Sequence, residues 1–317
     1  MILSIIVTVY NKEPYIIRCL SSCINQVSVS SDSYEILIIN DGSTDNSKTL
    51  IENYLVGKKN IRLISQENLG LSIARNNGIK EAKGKYVWFV DADDIVSENA
   101  VSLILNAALN SSDVIPIQSI TEGLPGIRNR IPVSVKDGKE VLLSGKWSFC
   151  SPFYIFRKAF LDENDLRFYP GIYHEDSELT PRLLFYAQTV SVLPNVLYTV
   201  TRDPNSITQV PRIQRAFDYI FIADRLDEFK KKVVGGECKL VRIYDHIISV
   251  IINNALHIVC GFDSNQRKEF DEKLYQKRNV LRSLKRGGHV KYTLEYCLFR
   301  IFPKCYTSIY ESLRHLA

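Results

Sequence analysis

One stretch of the sequence joins a strand to a cluster of carboxylates, and it reads YVWFVDADD over residues 86–94. Its first five residues are aromatic or β-branched, which is typical of a strand buried on both faces of a parallel sheet. The strand ends in Asp91, Asp93 and Asp94. Because ligands of open α/β sheets bind at the carboxyl ends of the strands, the stretch predicts a fold class and also the edge of the sheet at which a site lies.

The segments on either side of this strand alternate between strand and helix. Apolar runs predict further strands over residues 2–9, 35–39, 61–65 and 114–117. Apolar residues at helical spacing predict helices over residues 15–25, 44–56, 70–83 and 97–109. This alternation implies right-handed βαβ crossovers. The predicted fold class is therefore α/β, with a Rossmann-related, mostly parallel sheet and flanking helices.

The second half of the chain has a different pattern. Residues 121–146 are rich in glycine, proline and charge and have no period, which predicts a loop region. Shorter strands are predicted over residues 153–156 and 190–193, with a helix over residues 177–187 between them. From Arg212 onward every segment has helical periodicity. The predicted domains are residues 1–210 and an all-α C-terminal appendage over residues 211–317.

The composition is that of an ordinary globular protein, with 317 residues of which 45% are apolar and 24% are charged. These values exclude global disorder and a disulfide miniprotein. The seven cysteines are scattered without a CxxC pair, which favours reduced core thiols. The N-terminus lacks the basic region and cleavage site of a signal peptide, and residues 246–262 are too short and polar to span a bilayer. We therefore expect a cytoplasmic protein.

Positive charge is concentrated towards the C-terminus. The chain as a whole carries a net charge of only +5, which is too small to predict nucleic-acid binding. Residues 226–317 contain 17 lysines and arginines against 10 acidic residues, a net charge of +7. Aromatic, aliphatic and basic residues are interleaved over residues 292–316, which fits a helix lying in an anionic membrane interface. The alternative is a helix that packs this face on the rest of the protein, and Pro303 interrupts it in either case.

The three aspartates at the end of the YVWFVDADD stretch repel one another and need a counter-charge. A Mg²⁺ or Mn²⁺ ion fits, because such ions take oxygen ligands and commonly bind one or two carboxylates plus substrate phosphates. The alternative is an acidic turn before the helix that follows Ser97. No GxGxxG follows the first strand and no GxxxxGK[ST] occurs anywhere. A dinucleotide oxidoreductase and a P-loop NTPase are both disfavoured for this reason.

Four motifs in register resemble those of family 2 inverting glycosyltransferases, which have the GT-A fold. They are Thr8-Val9-Tyr10-Asn11, Asn40-Asp41-Gly42-Ser43-Thr44-Asp45, Asn68-Leu69-Gly70 with Ala74-Arg75-Asn76, and Phe89-Val90-Asp91-Ala92-Asp93-Asp94. A further motif, Tyr173-His174-Glu175-Asp176, resembles the family's acidic motif on the acceptor side. The resemblance implies a GT-A-like catalytic domain with a nucleotide-binding half over residues 1–118 and an acceptor-side half over residues 147–210.

The resemblance also implies a role for each matching residue. The residues implied in nucleotide binding are Thr8, Tyr10, Asn11, Glu13, Asp41, Asn68, Arg75 and Asp91. Among them Asp41 would accept a hydrogen bond from the uracil ring N–H, and Arg75 would approach the diphosphate. Asp93 would ligate the Mn²⁺ or Mg²⁺ ion that stabilises the departing nucleoside diphosphate.

On the acceptor side, Asp176 would be the general base that removes the proton of the acceptor hydroxyl, with His174 and Glu175 beside it. The alternative for Asp176 is the N-cap of the helix predicted from residue 177. The family's arginine-rich segment before a Ser-Ile-Thr sequence is represented here only by Arg202, ahead of residues 206–208. A second diphosphate contact from this segment is therefore in doubt.

Taken together, the resemblance implies a metal-assisted, inverting glycosyltransferase. Its partners would be a nucleotide-sugar donor, by default a UDP-sugar, and a glycan or lipid-linked glycan acceptor at the cell surface. The expected location is cytoplasmic, with a possible peripheral association at the inner face of the membrane. Two rival functions remain open, a sugar-1-phosphate nucleotidyltransferase and a non-catalytic sugar-nucleotide-binding subunit. The sugar, the acceptor, the linkage and the oligomeric state do not follow from these residues.

Overall fold

The computed structural model describes residues 1–202 and 211–314, which form two compact units. The first, here called the sheet unit, holds Met1–Gly171 and residues 179–202. The second, the helical unit, holds Ile172–Glu178 and residues 211–314. The predicted domain boundary after residue 210 falls at residues that lie outside the described part of the chain.

A nine-stranded sheet forms the centre of the sheet unit in the described residues. Its strands are β1 (Leu3–Val9), β2 (Tyr34–Asp41), β3 (Ile61–Gln66), β4 (Tyr86–Asp91), β5 (Ile95–Val96), β6 (Val114–Thr121), β7 (Leu124–Arg128), β8 (Tyr154–Arg157) and β9 (Leu193–Val200). They are ordered β3-β2-β1-β4-β8-β6-β9-β5, and β7 pairs with β6. The strands β3, β2, β1 and β4 are parallel, whereas β8 runs antiparallel to both of its neighbours.

Strand β1 sets the geometry of the carboxyl edge of the sheet. All seven of its residues are buried, as expected for a strand in the middle of a parallel sheet. Thr8 of β1 pairs with Ile39 of β2 on one side and with Asp91 of β4 on the other. The carboxyl ends of β1, β2 and β4 therefore lie at one edge. The predicted α/β class is confirmed, and the sheet is mixed, because its N-terminal strands pair in parallel whereas β8 pairs antiparallel with β4 and β6.

Helices flank the sheet in the same unit. They are α1 (Ile16–Ile24), α2 (Ser47–Leu55), α3 (Leu71–Glu81), α4 (Ala100–Ala108), α5 (Gly138–Ser144), α6 (Lys158–Glu163) and α7 (Glu175–Tyr186), whose first four residues are assigned to the helical unit. Helix α3 packs on β1 and β2, and α4 packs on β6 and β9. The core of this unit is formed by the apolar faces of the sheet and of these helices.

Three local predictions in this unit are wrong. The supposed loop over residues 121–146 contains β7 and α5, and α5 begins with an N-cap in which Asp137 accepts the N–H of Glu140. The strand predicted over residues 190–193 is β9, which begins at Leu193 and runs to Val200. Helix α7 begins at Glu175, two residues before the predicted start. Short elements in polar sequence were missed because their apolar pattern is weak.

The helical unit is all-α in its described residues, as predicted. Its helices are α8 (Gln214–Phe229), which continues as a π-helix over Lys230–Val234, then α9 (Cys238–Val259), α10 (Ser264–Gln276), α11 (Arg282–Arg286), α12 (Val290–Ile301) and α13 (Tyr306–Arg314). Helix α9 packs along α8 and contacts α11 and α13. Buried acidic groups connect the later helices, since Asp271 accepts the N–H and the hydroxyl of Thr307.

Helix α12 ends at Ile301, two residues before Pro303, and α13 begins three residues after it. The predicted interruption of the C-terminal helix at Pro303 is therefore confirmed, because proline cannot continue an α-helix without losing a backbone hydrogen bond. Within the described ranges, no helix has the length and the apolar character needed to cross a bilayer.

Candidate active site

The three aspartates that follow β4 lie at the carboxyl edge of the sheet and have different partners. Asp91 Oδ1 accepts a hydrogen bond of 2.8 Å from Arg75 Nη2. Asp93 Oδ2 lies 2.5 Å from Lys12 Nζ. The two oxygens of Asp94 accept hydrogen bonds from Tyr198 Oη and from the backbone N–H of Thr201, each at 2.7 Å.

Crowding of negative charge in a buried place raises the pKa of two of these carboxyls. Burial, reinforced by repulsion from Asp91 and Asp93, raises the pKa of Asp94 to about 8. Burial and the charge of Asp91 also raise the pKa of Asp93, and Lys12 opposes this shift only in part. The crowded carboxyls therefore favour bound protons, and Asp94 is protonated at neutral pH.

Arg75 is a buried residue of α3, with 1% of its surface exposed. Its guanidinium stacks over the rings of Phe89 and Phe168, with 5.8 Å and 5.2 Å to the ring centroids, and pairs with Asp91. This geometry fixes the side chain of Asp91 at the end of β4. Its implied contact with a diphosphate stays a prediction.

Asp41, at the end of β2, organises the loop that contains Asn68. Its Oδ1 accepts hydrogen bonds from Gln66 Nε2 at 2.8 Å and from the N–H of Leu69 at 2.9 Å, and its Oδ2 accepts the N–H of Gly70 at 2.9 Å. Asn68 is exposed on this loop. The structure therefore gives Asp41 a positioning function, and its implied bond to a uracil N–H stays a prediction.

Gly42 follows Asp41 and is the residue at which β2 meets the same loop. Its φ angle is +70°, and a Cβ atom built there would lie 2.7 Å from the backbone nitrogen of Asn68. Both the left-handed conformation and the close approach require glycine. The Asp41-Gly42 pair therefore allows the 66–70 loop to pack closely against the end of β2.

The loop after β1 is tied to the loop after β2 by two of the predicted residues. Asn11 Oδ1 accepts the N–H of Thr44 at 2.8 Å, and Asn11 itself has a φ angle of +51°. The two carboxylate oxygens of Glu13 accept the backbone N–H and the side-chain Nδ2 of Asn46, at 3.1 Å and 2.9 Å. These bonds shape the walls of the site.

The remaining nucleotide-side residues are also placed at this edge. Thr8 is buried in β1 beside Asp91 of β4, whereas Tyr10 is exposed immediately after β1. The residues predicted for the nucleotide and the metal are therefore brought together by the ends of β1, β2 and β4, although the four motifs are spread over residues 8–94.

The Tyr173-His174-Glu175-Asp176 segment lies in the helical unit, where it contacts α8. The N–H of Tyr173 donates to Asp218 Oδ2 at 2.8 Å, and the ring of His174 stacks on Tyr219 with 3.9 Å between centroids. Burial and the nearby charge of Arg215 lower the pKa of His174 to about 4, so this imidazole is neutral at physiological pH.

The two acidic residues of this segment open helix α7. Glu175 is its first residue and is buried, and Asp176 is its second and is partly exposed. Asp176 is therefore inside the first turn, and the alternative in which it precedes the helix as its N-cap is wrong. Its implied function as a base stays a prediction.

The chain matches the family model described as "Glycosyl transferase family 2" over residues 4–169, which is more than half of its length. The chain belongs to glycosyl transferase family 2. The matched region contains all the nucleotide-side residues discussed above, and the resemblance seen in the four motifs is confirmed.

Relatives of known name are consistent with this membership. The glycosyltransferase EpsJ of Bacillus subtilis is 32% identical over 223 residues, covering 66% of this chain and 64% of its own. The poly(ribitol-phosphate) beta-glucosyltransferase of Bacillus spizizenii is 34% identical over 225 residues, covering 67% of this chain and 34% of its own. The chain thus spans less than two thirds of the length of these relatives.

Among solved structures, residues 1–349 of S. aureus TarS in complex with UDP-GlcNAc match with a TM-score of 0.78. The match covers 99% of this chain and 92% of that chain, at 21% sequence identity. At this identity the likeness establishes the fold, and the expected GT-A-like architecture with C-terminal helices is confirmed.

The residues at the end of β4 can be compared with the ligands that a divalent cation needs. No group of three or more His, Cys, Asp or Glu side chains suited to a metal ion converges anywhere in the described part of the chain. Mg²⁺ and Mn²⁺ commonly take one or two carboxylates and obtain their other ligands from phosphates and water. Each of the three aspartates has a protein partner, namely Arg75 for Asp91, Lys12 for Asp93, and Tyr198 with Thr201 for Asp94. The implied metal contact of Asp93 stays a prediction.

Two residues of this family 2 site were missed by the sequence analysis. Lys12 could have been found, because it follows β1, the parallel neighbour of β4, and a cluster of aspartates needs a cation. Tyr198 gave no such signal, since it comes from β9, more than a hundred residues away in sequence. Its hydroxyl accepts the N–H of Asp91 and donates to Asp94, so it bridges both ends of the aspartate turn.

Proposed function

We propose that this family 2 protein transfers a sugar from a UDP-sugar to a hydroxyl group of a cell-surface glycan, with inversion at the anomeric carbon. The observation that carries the proposal is the arrangement of Asp91, Asp93 and Asp94 at the carboxyl edge of the sheet. The loops after β1 and β2 lie at the same edge, which is where open α/β sheets bind nucleotides.

The donor side of the proposal assigns one task to each group of residues. Asp41 and the loop it positions, together with Thr8 and Tyr10, receive the uridine. Asp93 would hold a Mg²⁺ or Mn²⁺ ion, and the chemistry that such an ion would supply is to offset negative charge on the leaving diphosphate. Arg75 keeps the carboxylate of Asp91 in place beside this ion site. A solved relative in fold, S. aureus TarS, has been crystallised with UDP-GlcNAc, which supports a UDP-sugar as donor.

The acceptor side of the proposal relies on Asp176. Its carboxylate takes the proton of the acceptor hydroxyl while that oxygen forms a bond to the anomeric carbon. The bond from this carbon to the diphosphate oxygen breaks at the same time, and the nucleoside diphosphate leaves with the bonding electrons. His174, being neutral, and Glu175 orient the acceptor.

The acceptor is proposed to be a polymer of the cell envelope that is carried on a lipid. Curated relatives include a teichoic acid poly(glycerol phosphate) polymerase of Staphylococcus epidermidis, which supports this class of acceptor. An acceptor carried on a lipid requires the enzyme to work at the inner face of the cell membrane. We therefore infer a peripheral association through the C-terminal helices, which carry a net positive charge.

The first experiment is a screen of UDP-sugars for hydrolysis and transfer in the presence and absence of Mn²⁺. The expected result is that one UDP-sugar is consumed only when the ion is present. Asp93→Ala should abolish this dependence together with the activity, whereas Glu52→Ala, a change of an exposed carboxylate on α2, should leave both unchanged. Metal-independent turnover by Asp93→Ala would contradict the proposal.

The second experiment separates the base from donor binding. Asp176→Asn should bind UDP with unchanged affinity in calorimetry but lose transfer, because an amide cannot accept the proton at neutral pH. Unchanged transfer would remove Asp176 from the mechanism. Binding of UDP and Mn²⁺ without hydrolysis or transfer for any donor would instead favour the rival function, a non-catalytic nucleotide-sugar-binding subunit.

A further inference from the structure

The helical unit contains a surface cavity of about 300 Å³ between α10, α11 and α12. It is lined by Tyr275, Arg278, Asn279, Arg282, Tyr296, Phe299, Arg300 and Pro303. Three arginines therefore share a cavity whose other walls are aromatic or amide groups. No acidic side chain is part of the lining.

The arginines of this cavity differ from other arginines of the same unit. Arg225 pairs with Glu178 at 2.9 Å, and Arg267 pairs with Glu311. By contrast, Arg278, Arg282 and Arg300 form no ion pair with any residue in the described ranges. The guanidinium of Arg278 stacks on Tyr275, 5.1 Å from the ring centroid. Three positive charges are thus held near one another without a counter-charge from the protein.

The size and chemistry of the cavity indicate the class of ligand. Small-molecule sites have volumes of about 300–1,000 Å³, so this cavity is at the lower end, suited to a single headgroup rather than a sugar nucleotide. Guanidinium groups bind phosphate oxygens through pairs of hydrogen bonds, and tyrosine is favoured where an apolar phase meets water. A phosphate group attached to a small polar or glycerol moiety fits both features.

The apolar residues beside the cavity indicate where such a phosphate comes from. Helix α12 carries Val290, Leu294, Cys297 and Ile301 at intervals of four, three and four residues, which places them on one face. Val290, Leu294 and Ile301 are exposed by 75%, 60% and 66%, and Cys297 is exposed as well. We call this face the α12 stripe.

The α12 stripe is continuous along the chain with the cavity. Arg300 and Pro303, which line the cavity, directly flank Ile301 and Phe302, and Phe302 is 41% exposed. Lys304 is exposed on the same segment. An apolar helix face bordered by basic groups is complementary to a membrane interface that contains anionic lipids.

We propose that the arginine cavity binds the phosphate headgroup of an anionic phospholipid while the α12 stripe lies in the membrane interface. The proposal rests on the peripheral membrane association inferred above and names its site and its ligand. Arg278, Arg282 and Arg300 would bind the phosphate oxygens, and the stripe would contact the acyl chains. Helix α12 is thus the anchor that holds the protein at the membrane that carries the acceptor.

The test is a vesicle sedimentation assay with the full chain. The protein should bind vesicles that contain phosphatidylglycerol and should not bind vesicles of phosphatidylcholine alone. Changing the three cavity arginines to glutamine should lower binding by at least tenfold, because the attraction to an anionic surface grows with the number of basic side chains near it. The matched control changes three exposed basic residues that do not line the cavity to glutamine, namely Lys239, Arg242 and Lys268.

The control distinguishes binding at a specific site from a general effect of net charge, because both triple variants lose three positive charges. Equal loss of binding in the two variants would overturn the cavity as a site. The stripe is tested by Leu294→Ser with Ile301→Ser, which should release the protein from vesicles. Val56→Ser with Leu109→Ser, at positions 80% and 78% exposed in the sheet unit, should not.

A further measurement distinguishes a lipid headgroup from a soluble phosphate compound as the ligand of the cavity. Binding of sn-glycerol 3-phosphate in calorimetry, together with no binding to phosphatidylglycerol vesicles, would overturn the membrane proposal and assign the cavity to a soluble phosphate compound. UDP affinity is measured on every variant and should stay at the wild-type value. If a variant loses vesicle binding but keeps UDP binding, only the membrane site is affected. If UDP binding itself fails, the proposed transferase function is contradicted, independently of the membrane site.

Discussion

The ammonium group of Lys12 lies 2.5 Å from Oδ2 of Asp93 and is therefore positioned where a divalent cation would bind the same oxygen. The side chains are 20% and 15% exposed, so the pair is partly shielded from water. Lys12 follows β1 and Asp93 follows β4, and these two strands are parallel neighbours. A cation that binds this oxygen would compete with the Lys12 ammonium group for it.

The Lys12→Met variant should bind Mn²⁺ more tightly than the wild-type protein, by about a factor of three to ten, because the ion no longer competes with an ammonium group. Manganese binding can be followed by electron paramagnetic resonance in the absence of donor. Lys48→Met removes an exposed lysine of α2 at 49% exposure and should leave the affinity unchanged. Weaker Mn²⁺ binding by Lys12→Met would contradict competition at Asp93.

The pair of Arg75 and Asp91 should stabilise the end of β4. Arg75→Met leaves the Asp91 carboxylate without its guanidinium partner, and Asp91→Asn leaves the buried guanidinium without a charge partner. A double-mutant cycle of urea unfolding should give a coupling free energy of about 1.5–3 kcal/mol, the range for hydrogen bonds to charged groups. Since the Asp91 side chain is 37% exposed, the lower half of this range is expected. A coupling of zero would mean that water replaces the arginine without cost.

Much of the sheet unit could be predicted from the sequence, because its signals are local. Strands β1, β2 and β4 are continuous apolar runs that end in polar clusters, and parallel pairing alone brings those clusters to one edge. The positions of Thr8, Asp41 and Asp91 follow directly from this argument. The elements β7 and α5 were not predicted, because their short segments carry few apolar residues.

The contacts within the site could not be predicted, because they depend on residues that are distant in sequence. Asp94 accepts hydrogen bonds from Tyr198 and from the backbone of Thr201, both in the β9 region. Arg75 packs on Phe89 and on Phe168, and Phe168 is more than ninety residues away in sequence. Such contacts require the register of strands that pair across long stretches of chain.

Gly42→Ala should weaken both the fold and UDP binding. Alanine in the left-handed region costs about 1–2 kcal/mol, and its Cβ would also press on the backbone nitrogen of Asn68. Gly57 provides a matched control, since its φ angle is +77° and a Cβ there meets nothing within 4 Å. We expect Gly57→Ala to lose only the conformational part in urea unfolding. Equal losses in both variants, with unchanged UDP affinity by calorimetry, would show that the contact with Asn68 carries no cost.

The stability of the helical unit should fall as the pH rises, owing to Glu295 of α12. Burial raises the pKa of this carboxyl from 4.5 to about 7, although Lys291 and a hydrogen bond from Asn253 oppose the shift. Its Oε2 has no hydrogen-bond partner among the described residues, as suits the protonated form. The folded state therefore binds the proton more tightly than the unfolded state, so stability is greatest below pH 4.5 with respect to this group and declines up to about pH 7.

The Glu295→Gln variant keeps the shape of the side chain and removes its titration. Its free energy of unfolding should exceed that of the wild-type protein above pH 7, and the difference between the two should shrink as the pH is lowered towards 4.5. Urea unfolding followed by circular dichroism over this range measures the difference and cancels the contribution of Asp271, whose pKa is raised to about 6 in the same unit. Glu272→Gln, a change of an exposed carboxylate on α10, should give a curve parallel to the wild type. A constant difference between Glu295→Gln and wild type across the range would mean that Glu295 is ionised in the folded protein.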